Sequence, residues 1–154
     1  MTWPRSTIAI STALARRTLY VDTGAFIALL WRRDRAHRRV GAHFTRLRAA
    51  GDLLVTSEPV IGETATRLRY DAGLQAALAF QRILEDAIAD GSLRVREGDP
   101  RLRTAAFAVM ARYADLRLSY ADCVGAAVAR EIRADALFGL DEDFRIMGFA
   151  LEPS

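Results

Sequence analysis

The chain has no lysine, no asparagine, a single cysteine and only two histidines. Each absence removes chemistry. Without lysine there is no Walker-type phosphate loop, no Schiff base and no Ser–Lys dyad. A lone Cys123 excludes an internal disulfide framework and a four-cysteine zinc site. His37 and His43 are too few for a histidine-rich metal cage. No apolar run reaches the roughly 18 residues of a membrane span. The N-terminal "MTWPRSTIAISTALARR" meets two arginines rather than a small-residue cleavage site, so it does not read as a secretory signal. The expected location is therefore the cytoplasm, with no membrane partner. Glycine and proline, at 10 and 4 residues, are too sparse for a low-complexity chain.

What is present has the size and balance of one domain. The 154 residues are 51% hydrophobic and 27% charged, which suits a packed core. All 22 basic residues are arginine and the net charge is +3. That mild excess tolerates a nucleic-acid partner without demanding one. Arginine grips phosphate bidentately, but complete replacement of lysine reads first as a codon-composition bias. The Arg-rich "RRDRAHRR" reads as a solvated face, the alternative being an RNA-contacting rim.

Strands alternate with helices along the chain. "TLYVD" (residues 18–22) is a short strand ending in Asp22. "TGAFIALLWRR" follows with Phe26, Ile27, Leu30 and Trp31 at helical spacing. Asp34 is placed to cap a second helix carrying Val40, Phe44 and Leu47 on one face, closed by Gly51. "DLLVTS" is a buried strand, and Pro59 suits the first turn of the next helix, whose inner face is Val60, Ile61, Ala65 and Leu68. Residues 71–90 predict a helix with Leu74, Leu78, Leu84 and Ile88 inward. "SLRVRE" is a strand, residues 100–116 a helix, and Ser119 with Asp122 a capping pattern for another. "DALFGL" is a buried strand, "DEDFRIMGF" a short helix or turn, and "FALEP" an edge strand. Residues 1–17 read as an N-terminal extension and 18–154 as one α/β domain with a short, mostly parallel central sheet flanked by helices. His37 is expected to be structural, bonded near Asp34.

Ligands in such sheets bind beyond the carboxyl ends of the strands. Asp22 and Asp141 end strands on that edge. Glu63 lies about one turn into the helix after "LLVTS", and Asp122 lies in the first turn of its helix. Four carboxylates from distant segments can thus converge. Each has a plainer reading: a cap for Asp22, Asp122 and Asp141, a solvated face for Glu63. Their joint placement is the stronger argument. Crowded like charges repel, and a divalent ion such as Mg²⁺ or Mn²⁺ resolves the repulsion with oxygen donors. Such an ion activates water and binds phosphate oxygens.

Taken in order, "LYVDTGAFIAL", the "DRAH" spacing, "LLVTSEPVIGETATRL", "LSYADCVGAAVARE" and "LFGLDEDFRIMGF" resemble the PIN-domain ribonucleases, and most of all the toxins of VapBC-type toxin–antitoxin pairs. The resemblance covers about residues 18–152. It implies a Mg²⁺- or Mn²⁺-dependent endoribonuclease in which Asp22, Glu63, Asp122 and Asp141 are the four acids, with Thr23 and Ser119 supporting them. It also implies an RNA substrate, a homodimer, and a small antitoxin threading along the active-site face, with "AFIALLW" as a groove wall. Two positions depart from the pattern: Gly24, where the family often has Ser, and Leu140, where a hydroxyl often precedes the fourth acid. Asp143 stands as a substitute or extra ligand. The competing readings are a PIN-type RNA-processing nuclease without an antitoxin and a non-catalytic RNA-binding or interaction domain. A dehalogenase-like phosphatase is disfavoured because it needs a second Asp where Gly24 stands, and a lysine.

Overall fold

The computed structural model describes residues 16–154. Its centre is β1 (Thr18–Val21), whose Leu19, Tyr20 and Val21 are almost wholly buried. A strand buried on both faces belongs in the middle of a parallel sheet. β2 (Leu53–Ser57) pairs with it on one side and β4 (Ala136–Phe138) on the other. β3 (Leu93–Arg96) and β5 (Leu151–Glu152) form the edges, giving the order β3-β2-β1-β4-β5. Every pairing is parallel. The chain builds outward from β1 to β3, then returns to start β4 on the opposite side of β1. The strand order therefore reverses between β1 and β4, where a crevice opens beyond the carboxyl ends.

Helices fill the crossovers. α1 (Thr23–Leu30) follows β1, and α2 (His37–Ala50) leads to β2 through Gly51, whose φ of 73° is left-handed. α2 buries Val40, Phe44 and Leu47 as its period predicts. Asp34 does not cap it directly. Its Oδ1 accepts the N–H of Ala36, the residue just before the helix proper, at 2.8 Å. His37 is structural, but its Nδ1 lies 2.7 Å from the Ala28 carbonyl oxygen rather than on the Asp34 side chain. α3 (Glu58–Asp71) starts with Pro59 in its first turn. α4 (Leu74–Ala89) corrects the sequence reading. Leu74, Leu78 and Ile88 are exposed, and Phe80, Ile83, Leu84 and Ala87 face inward. Those four fall on one stripe at 3.6 residues per turn, and Leu78 lies nearly opposite it.

α5 (Pro100–Arg112) ends four residues before its predicted limit. α6 (Tyr120–Glu131) opens with Ser119 as N-cap. α7 (Asp143–Ile146) is a single turn joining β4 to β5. Among the described residues no helix is long and apolar enough to cross a membrane. Most of the N-terminal extension, residues 1–15, lies outside the described residues. Its last residue, Arg17, is tied to the domain. The Arg17 guanidinium bonds Glu152 at 2.8 Å and Asp52 at 3.3 Å.

α6 crosses β1 closely at Gly125. A Cβ there would sit 2.9 Å from Tyr20 Cε1, inside a fully buried ring. Overpacking of this kind costs about 1–3 kcal/mol, and the helix preference of alanine returns about 1 kcal/mol. Gly125→Ala is expected to lose roughly 1 kcal/mol net, seen as a lower urea midpoint at unchanged slope. An equal or higher midpoint would contradict this close approach.

Candidate metal centre

Asp22 follows β1 directly and is the N-cap residue of α1. Its side chain makes no N-cap hydrogen bond to the helix. Its backbone N–H instead donates to the Phe138 carbonyl at 2.9 Å, which locks it to β4. The residue is 4% exposed, and its Oδ1 is buried with no hydrogen-bond partner among the described residues. A buried carboxylate oxygen without a partner is costly. Burial raises the Asp22 carboxyl to about 7, and the charges of Asp122, Glu63 and Asp141 add to the rise. The Thr23 backbone N–H pulls the other way.

The other three acids approach from separate elements. Glu63, on α3, is half-buried, and its Oε2 accepts the Thr23 hydroxyl at 2.9 Å. Asp122 lies in the first turn of α6. Its Oδ2 accepts the Ser119 N–H at 2.8 Å, while its own N–H donates to Ser119 Oγ at 3.1 Å. The plain capping-box reading is thus true of Asp122, but the same side chain is also the first charge felt by Asp22. Burial pushes the Asp122 carboxyl up, with Asp141 and Glu63 adding to it against the Ser119 bonds. Asp141 is not at a strand end as its sequence position suggested. β4 stops at Phe138, and Gly139 and Leu140 intervene. Asp141 is exposed, and its Oδ1 accepts the Asp143 N–H at 3.0 Å. Asp143 itself is not among the leading charges acting on Asp22 or Asp122.

The two departures from the resembled pattern meet in space. A Cβ on Gly24 would lie 3.5 Å from Leu140 Cβ, so the apolar side chain covers the spot where a hydroxyl would point. Gly139 has a sharper role. A Cβ there would stand 3.1 Å from Asp22 Cβ, so any larger residue at the end of β4 would have to push the carboxylate side chain aside by a few tenths of an ångström. The sequence reading missed Tyr20 and Ser57. The Tyr20 hydroxyl lies 2.8 Å from Ser57 Oγ, and burial drives its ionisation far up. A tyrosine inside an otherwise aliphatic buried strand needs a polar partner, and the hydroxyls ending "LLVTS" were the available signal. Thr56 is used as well, donating to the Val21 carbonyl at 3.0 Å. The histidines are engaged away from the acids: His43 Nε2 lies 2.8 Å from Glu152.

Among the described residues no three acidic, imidazole or thiol groups close into a cage around a point. The arrangement is an open one: a partnerless buried oxygen on Asp22, with three further carboxylates acting on it. Oxygen-only donors fit Mg²⁺ or Mn²⁺, and Mg²⁺ needs only one or two carboxylates because it keeps several waters. Thr23→Val tests the support of Glu63. Loss of the bond to Oε2 is expected to raise the Mg²⁺ concentration for half-maximal thermal stabilisation about 10-fold, with an unchanged circular dichroism spectrum. An unaltered Mg²⁺ requirement would remove Thr23 from the centre.

The fold agrees with comparison to known proteins. The family model described as the PIN domain matches residues 19–150. The crystal structure of VapC20 from Mycobacterium tuberculosis, a toxin that cleaves the sarcin–ricin loop, is 29% identical with a TM-score of 0.73. That match covers 86% of this chain and 96% of the toxin. VapBC2 from Rickettsia felis, solved on a DNA fragment from its promoter, is 13% identical with a TM-score of 0.62, covering 88% of this chain and 97% of its own, and shows the fold alone. No curated protein matches the sequence. With a model match across nearly all of the described residues and the same fold in VapC20, the chain belongs to the PIN-domain family.

Proposed function

We propose that the chain is a Mg²⁺- or Mn²⁺-dependent endoribonuclease and the toxin of a toxin–antitoxin pair. The observation that carries this reading is the buried, partnerless Oδ1 of Asp22 under the charges of Asp122, Glu63 and Asp141. A protein holds such a destabilising arrangement where an ion offsets it. Asp22, Glu63, Asp122 and Asp141 would hold the ion. Thr23 orients Glu63, and the Ser119 backbone orients Asp122. When bound, the ion supplies Lewis-acid charge at the phosphodiester and acidifies water. Similarity to VapC20, a toxin that cleaves the sarcin–ricin loop, supports the same reaction class.

Water, not the RNA 2′-hydroxyl, is the nucleophile in this reading, so products carry a 5′-phosphate and a 3′-hydroxyl. The test is incubation with total RNA in Mg²⁺, followed by end-group analysis. Expected are discrete fragments that a 5′-phosphate-dependent exonuclease degrades, and none in excess chelator. Fragments with 2′,3′-cyclic phosphate ends, or cutting unaffected by chelation, would overturn the reading.

An antitoxin and a second copy of the chain are the expected partners. The sequence reading offered "AFIALLW" as a groove wall, but residues Ala25, Phe26, Ile27, Ala28 and Leu29 are buried in the domain's own core. Only the end of that segment, Leu30 and Trp31, is partly open. Exposed apolar side chains lie instead across the α3–α4 turn, at Tyr70, Leu74 and Leu78. Apolar groups gathered at one turn suit a protein contact.

A further inference from the structure

A pocket of about 350 Å³ opens between the first turns of α3, α5 and α6. Pro59, Leu102 and Val124 line it with apolar atoms, beside Tyr120, Arg103 and Asp99. Two of these helices also carry acids of the candidate metal centre. Pro59 stands one turn before Glu63 on α3, and Tyr120 and Val124 bracket Asp122 on α6. Tyr120 and Asp122, two residues apart, point to opposite flanks of the helix. The pocket is therefore a neighbour of the metal centre, about a helix diameter of ~10 Å away.

Its lining has a distinct chemistry. Tyr120 is 39% exposed, and its ring lies tilted against Phe107 at 5.6 Å between centroids. Arg103 is exposed and carries a free-standing positive charge among the described residues' ion pairs. The one acid in the lining, Asp99, is occupied. Its Oδ2 accepts from Arg96 at 2.8 Å, and its Oδ1 accepts the Leu102 N–H at 2.8 Å, holding the carboxyl below its ordinary range. An anionic ligand thus meets a guanidinium and a neutralised carboxylate. The volume is at the lower end of small-ligand sites.

We propose that this pocket takes one unstacked nucleobase of the RNA, one or two nucleotides from the cut phosphate, stacked on Tyr120 with Arg103 against the backbone. The proposal rests on the nuclease reading above. Stacking on aromatic side chains is how proteins hold splayed-out RNA bases. Tyr120 is then a substrate-positioning residue, and the pocket shapes which sequence is cut.

The experiment uses the shortest RNA oligonucleotide that the wild-type protein cuts, with an abasic nucleotide placed at each position within two of the cut. At one position the missing base is expected to cost wild type on the order of 10-fold in kcat/KM. Tyr120→Ala is expected to raise KM on the intact RNA by a similar factor with little change in kcat. It should then show no further loss on that abasic RNA, while Tyr120→Trp behaves as wild type. An abasic penalty that is the same in wild type and Tyr120→Ala at every position overturns the proposal and leaves the nuclease reading standing. Conversion of a dimer to a monomer by Tyr120→Ala, seen by light scattering, also overturns it, because a second copy then covers the pocket. A wild-type protein that cuts no RNA overturns both.

Discussion

Asp22→Asn is expected to cut RNA at least about 100-fold more slowly than wild type in the same Mg²⁺, while remaining folded. Loss of an outer partner of a metal ligand already costs about 10–100-fold, and Asp22 is the most buried of the four acids, with a buried carboxylate oxygen that has no hydrogen-bond partner among the described residues. Asparagine keeps the outline of the side chain and removes its charge. An excess of chelator should reproduce the loss in wild type, and added Mg²⁺ or Mn²⁺ should reverse the chelation but not the substitution. The assay is cleavage of end-labelled RNA by both proteins across a metal titration. Asp22→Asn cutting within a few-fold of wild type would remove the acid cluster from catalysis.

That result depends on a convergence the sequence showed only in outline. Asp22 was legible because an acid closing a short aliphatic strand lies at the carboxyl edge of a parallel sheet. Asp122 was legible through Ser119, since a capping pattern fixes which turn the acid occupies. Asp141 was placed less well. Its strand is three residues long, and the chain turns away at Gly139 and Leu140 before reaching it. Strand ends carry weak sequence signals because the last pairing is set by neighbours, here Glu152 beside Phe138. The inner face of α4 was misread for a related reason. Leu74, Leu78, Leu84 and Ile88 look like one face, but tertiary packing chose the stripe with Phe80, Ile83, Leu84 and Ala87. What a sequence cannot display at all is the unmet demand of one oxygen. That Oδ1 of Asp22 lacks a partner among the described residues is a property of the packed crevice, where the Gly139 backbone runs close to the Asp22 side chain.

The same oxygen predicts an inverted stability ranking. In the metal-free protein the Asp22 carboxyl stands at about 7 against 3.8 unperturbed. Below pH 3.8 both folded and unfolded chains carry the proton, and Asp22 imposes no penalty. Between the two values the folded state keeps a proton that the unfolded state loses, so stability falls as pH rises. Above about pH 7 the penalty is complete. About 3 pH units at about 1.4 kcal/mol each give an upper value of about 4 kcal/mol. Asp22→Asn removes this slope. Its amide leaves a buried polar group unpaired, costing about 1–3 kcal/mol, but at every pH alike. The stability of Asp22→Asn relative to wild type should therefore climb from pH 4 to about pH 7 in chelator and level off above it. Mg²⁺ should then reverse the ranking at pH 8. An ion that binds only the folded, charged wild type adds about 2.7 kcal/mol at a hundredfold excess over its dissociation constant, and the variant lacks the charge to bind it. Urea unfolding of both proteins at pH 4, 6 and 8, with chelator or with Mg²⁺, reads every term. Parallel pH profiles in chelator would show that Asp22 is ordinarily ionised in the fold, and an equal Mg²⁺ response would show that it holds no ion.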